Sequence, residues 1–473
     1  MLRTKYLALA ILFIFIGIGI TLISHANETS TNPRPAEPKD IEVLEPQLDS
    51  LVSPIIREGW CPGIVVGIIY KGQTKVLGYG KTSLDHSQVP DGNTEFEIGS
   101  VTKLFTQLLL LDLVQKGKIR LDDLAQEYIP SSVKLPVKNG KQITILDLVN
   151  HKSGLPHDPD DVDLDSPDPQ SDYPVQKLYD YLSNVQLVFT PGEKVGYSNT
   201  GVALLGDIIC QKSGVSYKQY LMQKILKPIG LNDTGVDWTK NQESRITPGY
   251  TAEGVPNPLW QWHQPTFIPV GAIHSTANDM LKFAKSVFTP HSSSLSEITF
   301  GESAKRIGWG RIVQHAGATY GFNTYFFVDR DKQTAIILWG NCANLMVLHL
   351  ASAIGNLFYG LPTTAIELPK LVSLSVKELK PYAGKYRVEK AAPGLWLKVG
   401  STFTLRPEKG KLVRQFEGHD LKTIYYPEAD GEFYVKQTSY HVTFKKNKTG
   451  KIIGLSTKPN LLGYDYVASK LDE

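Results

Sequence analysis

Residues 96–117 read Phe-Glu-Ile-Gly-Ser-Val-Thr-Lys-Leu-Phe-Thr-Gln-Leu-Leu-Leu-Leu-Asp-Leu-Val-Gln-Lys-Gly. An extended approach through Phe96-Glu97-Ile98-Gly99 runs into Ser100, and from Thr102 to Lys116 the chain is apolar on nearly every side until Gly117 stops it. That pattern predicts a buried helix with a glycine cap rather than a surface helix. Ser100 and Lys103 are three residues apart, so a helix starting here sets a hydroxyl and an amine on one face within hydrogen-bond reach. A serine hydroxyl is inert at its own pKa, whereas a lysine kept from water becomes a base that can take the hydroxyl proton, a step worth about 10²–10⁴-fold in rate. The helix N-terminus adds positive potential and free N–H groups where an oxyanion would form. Ser-x-x-Lys alone recurs by chance on solvated helix faces. The passage from extended chain into a buried helix is what marks Ser100 as a functional serine.

Working outward, Ile64–Tyr70, the turn Lys71-Gly72-Gln73 and Thr74–Tyr79 predict a β-hairpin ahead of this segment. Helices are expected at 143–150, 174–184, 199–213, 217–226 and 277–288, separated by Pro and Gly. A second hairpin follows, Thr324–Val328 and Thr334–Trp339 around a polar turn, and then an apolar helix at 344–358. Strands at both ends with helices between them imply an α+β domain whose sheet joins segments distant in sequence. Beyond Pro362 and Pro369, short β-rich runs recur at Leu395–Val399, Thr402–Leu405, Lys411–Phe416, Thr423–Tyr426, Glu432–Lys436, Tyr440–Phe444 and Lys451–Leu455, the spacing of a small antiparallel barrel or sandwich. The expected division is 1–26 as a leader or anchor, 27–44 as a linker, 45–361 as a hydrolase domain and 370–473 as a β-barrel domain.

Arg3 and Lys5 precede an uncharged apolar run from Leu7 to Ile23, followed by Ser24-His25-Ala26. This is either a signal peptide with a small-x-small cleavage site or a membrane anchor over residues 7–23. Both readings export the bulk of the chain to a periplasmic or extracellular location. With a net charge of +3 over 473 residues and no long basic run, nucleic acid is not an expected partner. Cys61, Cys210 and Cys342 permit one disulfide and one leftover thiol, or three buried thiols, and spacing does not choose among them.

Two further elements carry chemistry. Tyr197-Ser198-Asn199 follows a Pro191-Gly192 turn and opens an apolar helix; the phenol can relay a proton and the amide can bind a substrate amide. His315-Ala316-Gly317 leads through Ala318 to a strand, with Gly317 expected where backbones approach closely. His151, His157 and His274 read as structural histidines.

These elements, in this order and setting, resemble the serine β-lactamase and penicillin-binding family, closest to class C β-lactamases and the low-molecular-weight D,D-peptidases and esterases. The resemblance covers roughly 45–360 and extends to His151-Lys152-Ser153-Gly154-Leu155-Pro156 and to Gly271-Ala272-Ile273-His274-Ser275-Thr276. It implies acylation of Ser100, with Lys103 and Tyr197 sharing acid–base work and Asn199 and His315 at the substrate. It also implies an oxyanion hole from the N–H groups of Ser100 and Ala318 beside Gly317. Tyr382–Tyr386 looks like the start of the small barrel appended to some members.

Many members carry Lys-Thr-Gly where this chain has His315-Ala316-Gly317, which weakens the expectation of efficient β-lactam hydrolysis. The literal Lys448-Thr449-Gly450 reads as a hairpin turn instead. The stretch 157–172 holds seven aspartates but lacks the central glycine and closing glutamate of a calcium loop, and reads as a solvated acidic loop near the cleft. The expected protein is therefore an exported serine hydrolase without metal or organic cofactor, acting through an acyl-enzyme. Its expected substrate is a D-Ala-D-Ala-type or D-amino-acid peptide. A peptidoglycan-like, β-lactam or ester substrate, a penicillin-binding sensor that acylates without turnover, and a cell-surface binding protein that kept the fold and lost the reaction are the alternatives.

Overall fold

The structure, a computed structural model, describes residues 37–473 except 163–165, 167–168, 292, 364–365, 392–398, 419–421, 460–464 and 472–473. The apolar run 7–23 therefore lies outside the described residues, and no helix among those described is long and apolar enough to cross a membrane.

Helix α1 (Ile41–Arg57) is capped by Asp40, whose side chain accepts from the Val43 N–H. It begins inside the stretch expected to be a linker, because Leu44, Leu48, Leu51, Val52 and Ile55 give it a buried stripe. Strands β1 (Gly63–Tyr70) and β2 (Gln73–Gly80) form the expected first hairpin. Strand β1 is buried along its whole length because both faces are covered: Val65 and Ile69 join one apolar cluster, Ile64, Val66, Ile68 and Tyr70 the other. A short strand β3 (Glu95–Glu97) then leads into helix α2 (Thr102–Gln115), and helix α3 (Asn199–Ser213) packs beside it.

Strand β4 (His274–Thr276) pairs with β3, and its residue Thr276 caps helix α4 (Ala277–Ser286). Strands β5 (Ile312–Ala318), β6 (Asn323–Asp329) and β7 (Thr334–Gly340) complete an antiparallel five-stranded sheet in the order β2-β1-β7-β6-β5. Ile64 of the first hairpin pairs with Gly340 of the second, so strands far apart in sequence are neighbours. Helix α5 (Met346–Phe358) covers one sheet face with α1, and the helical insert covers the other. The fold is the expected α+β class. Of the three cysteines, Cys61 and Cys342 are disulfide-bonded with Cα atoms 5.4 Å apart, and half-buried Cys210 is free.

The C-terminal segment closes into an eight-stranded antiparallel barrel running from Gly384–Ala391 to Tyr466–Lys470. Sequence patterning misses these first and last strands. In Gly384–Ala391 only Tyr386 and Val388 are fully buried, among charged neighbours, and Tyr466–Lys470 is short. The expected strand at 395–399 falls mostly outside the described residues, and Val399 lies in a turn. The barrel touches the first domain where Tyr434 meets Trp60 edge-on at 5.6 Å and Lys436 lies over the same indole.

Candidate active site

Ser100 sits in a single 3₁₀ turn (Gly99–Val101) between β3 and α2 and is almost wholly buried. The turn is possible because Gly99 takes φ +50°, and a Cβ there would lie 2.7 Å from the Ala318 backbone. Gly317 is equally constrained: its Cβ would stand 2.0 Å from the Ile98 carbonyl oxygen. The end of β5 is thereby pressed against the turn that holds the serine, as close backbone approach predicts.

Lys103, in the first turn of α2, places Nζ 2.7 Å from Ser100 Oγ and donates to the Val270 carbonyl at 2.8 Å. It is buried to 2% exposure, and loss of hydration pushes its pKa well below the ordinary lysine value, a shift that the Asp158 carboxylate partly offsets. A neutral amine here keeps one hydrogen on Val270 and turns its lone pair to the serine hydroxyl. Tyr197 donates its hydroxyl to Ser100 Oγ at 3.0 Å from the other side. Burial raises the phenol pKa, so the proton stays on oxygen. His151 stacks on the Tyr197 ring at 4.2 Å and accepts the Ser198 N–H through Nδ1, which fixes the phenol against the serine.

Ser198 caps α3 by accepting the Gly201 N–H, and its own hydroxyl donates to Pro156 O. Asn199 is thereby held at the helix start, its side chain inside the site. Its Nδ2 donates to Asp158 Oδ1 at 3.0 Å, while its Oδ1 is buried with no partner among the described residues. His315 lies near the end of β5, its ring centre 6.5 Å from that of Tyr197. Its Nδ1 donates to the Ala316 carbonyl at 2.6 Å, which leaves Nε2 as an acceptor. Burial first, then Lys103, lowers its pKa to about 3, so the ring is neutral.

The structure thus brings Ser100, Lys103, Tyr197, Asn199, His315, Gly317 and Ala318 to one place. His274 lies apart, stacked on Trp238 at 3.7 Å and 3.3 Å from Glu95, as a structural histidine would. Lys448-Thr449-Gly450 forms the turn after a barrel strand, organised by Asn447 Oδ1, and takes no part in the site.

Asp158 corrects the reading of 157–172 as wholly solvated. Its side chain is 27% exposed and bonded to Asn199, to Gln170 Nε2 at 2.8 Å and to His157 Nδ1. Burial alone would raise its pKa, but His157, Asn199 and Lys103 outweigh that and hold it below the ordinary carboxylate value. Its position two residues after the Gly154-Leu155-Pro156 turn was the available signal, hidden by six other aspartates in the same stretch. Among the described residues, Glu428, Glu432 and His441 of the barrel have metal-ligand spacing. Glu432 is already engaged by Lys458 and Thr443, and Glu428 by His441.

The sequence model of the Beta-lactamase family matches residues 48–351. The chain is similar to the D-alanyl-D-alanine-carboxypeptidase/endopeptidase AmpH of Escherichia coli, 29% identical over 47% of this chain and 56% of that protein. It is also similar to protein flp of Staphylococcus aureus, 26% identical over 66% of each chain. The alignment with AmpH spans only about half of that relative's length. Among solved structures, the fold matches a beta-lactamase/D-alanine carboxypeptidase of Yersinia pestis with a TM-score of 0.58 at 22% identity, covering 68% of this chain and 99% of that one. A class C beta-lactamase of Rhodobacter sphaeroides matches with a TM-score of 0.54 at 21% identity, covering 66% and 99%. A family match over most of the chain, on a fold shared with these enzymes, makes this protein a member of the beta-lactamase family of serine hydrolases.

Proposed function

We propose that the protein is an exported acyl-serine hydrolase of D-amino-acid peptides or related amides and esters, with Ser100 as nucleophile. The carrying observation is that a desolvated amine and a protonated phenol, from separate elements, both lie within 3.0 Å of one serine oxygen. In the first half-reaction the Lys103 amine takes the Ser100 proton while Oγ bonds to the substrate carbonyl carbon, and the oxyanion turns to the N–H groups of Ser100 and Ala318. The carbon–nitrogen or carbon–oxygen bond then breaks, and Tyr197 passes a proton to the departing amine or alcohol as Lys103 reprotonates it. In the second half-reaction the same pair removes a proton from water, which attacks the acyl carbon and returns Ser100 to its hydroxyl form.

The neutral His315 ring favours amides and esters over substrates whose terminal carboxylate needs a cation at β5. A D-Ala-D-Ala carboxypeptidase is the second reading, favoured by the similarity to AmpH. Export is supported by the Cys61–Cys342 disulfide, a bond that persists in oxidising compartments. Intact mass followed over time with excess penicillin tests the mechanism. A Ser100-dependent adduct that persists supports a peptidase or sensor, and one that decays as penicillin is consumed supports a lactamase. An adduct that survives Ser100→Ala would refute the assignment.

A further inference from the structure

The hydrogen-bond polarity beside Ser100 identifies what part of a substrate this site accepts. An ionised carboxylate only accepts, so Asp158 Oδ1, 3.0 Å from the Asn199 amide, fixes which way that amide points. Nδ2 is committed to Asp158, and Oδ1 is buried and has no hydrogen-bond partner among the described residues. Asp158 Oδ1 accepts from Asn199 and Gln170, whereas Oδ2 is met by His157 among the described residues, and the side chain is 27% exposed. This corner therefore offers a carbonyl oxygen and a carboxylate oxygen, while Asn199 Nδ2, Gln170 Nε2 and His157 Nδ1 are already engaged by Asp158.

Charge points the same way. Burial lowers the pKa of Lys103, His151 and His315 and raises that of Tyr197, which disfavours a charge on each of them. The Asp158 carboxylate, by contrast, is held below the ordinary carboxylate pKa, lies one hydrogen bond from Asn199 and acts electrostatically on Lys103 and Tyr197. The α-amino group of an aminoacyl substrate is two bonds from the carbonyl carbon that Ser100 attacks, so in the acyl complex it lies beside the nucleophile.

We propose that Asp158 and the side-chain carbonyl of Asn199 form an acceptor-only subsite for a free amino group, so that the enzyme acts on amides or esters of unblocked amino acids. The proposal rests on the acyl-serine reading above. An N-acylated substrate brings a second carbonyl oxygen into this corner, where it meets the carboxylate and finds the Asn199 N–H already taken. A positively charged ammonium meets the unpartnered Asn199 Oδ1 and the Asp158 carboxylate instead.

The test compares kcat/KM for D-alanine p-nitroanilide and N-acetyl-D-alanine p-nitroanilide in the full chain, with Asp158→Asn alongside and fluorophosphonate labelling of Ser100 as an independent readout. The free amine should be preferred by roughly 10- to 100-fold, and Asp158→Asn should bring the ratio toward one. If Asp158→Asn does not fold, protection of Ser100 from the fluorophosphonate by D-alaninamide against N-acetyl-D-alaninamide decides in the unaltered protein. Equal or inverted preference, or a ratio that Asp158→Asn leaves unchanged, overturns the subsite while Ser100 labelling keeps the acyl-serine reading. Ser100 labelling without turnover of either anilide also overturns the subsite alone, and absence of both labelling and turnover overturns both.

Discussion

The hydroxyl of Tyr197 donates to Ser100 Oγ across 3.0 Å, although 97 residues separate the two. With Lys103 Nζ at 2.7 Å on the other side, the serine oxygen has one group able to remove its proton and another able to supply one.

This arrangement makes Ser100→Ala lose all covalent labelling by penicillin or fluorophosphonate. Lys103→Ala should retain the serine but slow acylation by about 10²–10⁴-fold. Stopped-flow labelling followed by mass measures both, and a Lys103→Ala rate within a few-fold of the unaltered protein would remove the lysine from the mechanism.

The pH profile follows from the Lys103 environment. Only the neutral amine can take the serine proton, so acylation by an uncharged ester falls as pH drops through the lysine pKa. Burial lowers that pKa in the folded protein, so the limb should have its midpoint well below 10.5. His315, with a pKa of about 3, should add no second limb between roughly pH 5 and 9. A midpoint near the ordinary lysine value would show that Lys103 is hydrated.

His315→Lys puts a flexible cation at the edge of β5. It should raise the acylation rate of penicillin, which bears a carboxylate, relative to an uncharged ester by about tenfold, the scale of one charge-assisted hydrogen bond. Competition labelling of Ser100 by the two reagents reads the ratio directly.

Gly317→Ala forces a methyl to within 2.0 Å of the Ile98 carbonyl oxygen, which also accepts from Thr324 Oγ1. Because backbone rather than a flexible side chain must move, the change should cost about 1–3 kcal/mol and shift the turn that carries Ser100. Denaturant unfolding and labelling rate should fall together.

The Cys61–Cys342 bond ties β1 to the loop after β7 across 281 residues of chain. Replacing both cysteines by serine should lower stability by about 2–5 kcal/mol, read as a lower denaturation midpoint. Dithiothreitol should lower the midpoint of the unaltered protein and leave that of the double variant unmoved.

What the sequence by itself determined is what short-range geometry controls. Ser100 and Lys103 lie one helical turn apart, so their contact follows once the apolar run 104–114 forms a helix, and the alternation in both hairpins follows from the strand period. The positions of Tyr197, Asn199 and His315 in the chain were legible from local turn and helix signals and from the family pattern. Their meeting was not, because it depends on α2, α3 and β5 packing together. The tertiary structure alone decided that Cys61 pairs with Cys342 and that the weakly patterned strands Gly384–Ala391 and Tyr466–Lys470 close the barrel. It also decided that Asp158 leaves its acidic stretch to bind Asn199. Each of these is a contact between distant segments, and a carboxylate's partner is set by which segment burial brings beside it, which no run of neighbouring residues encodes.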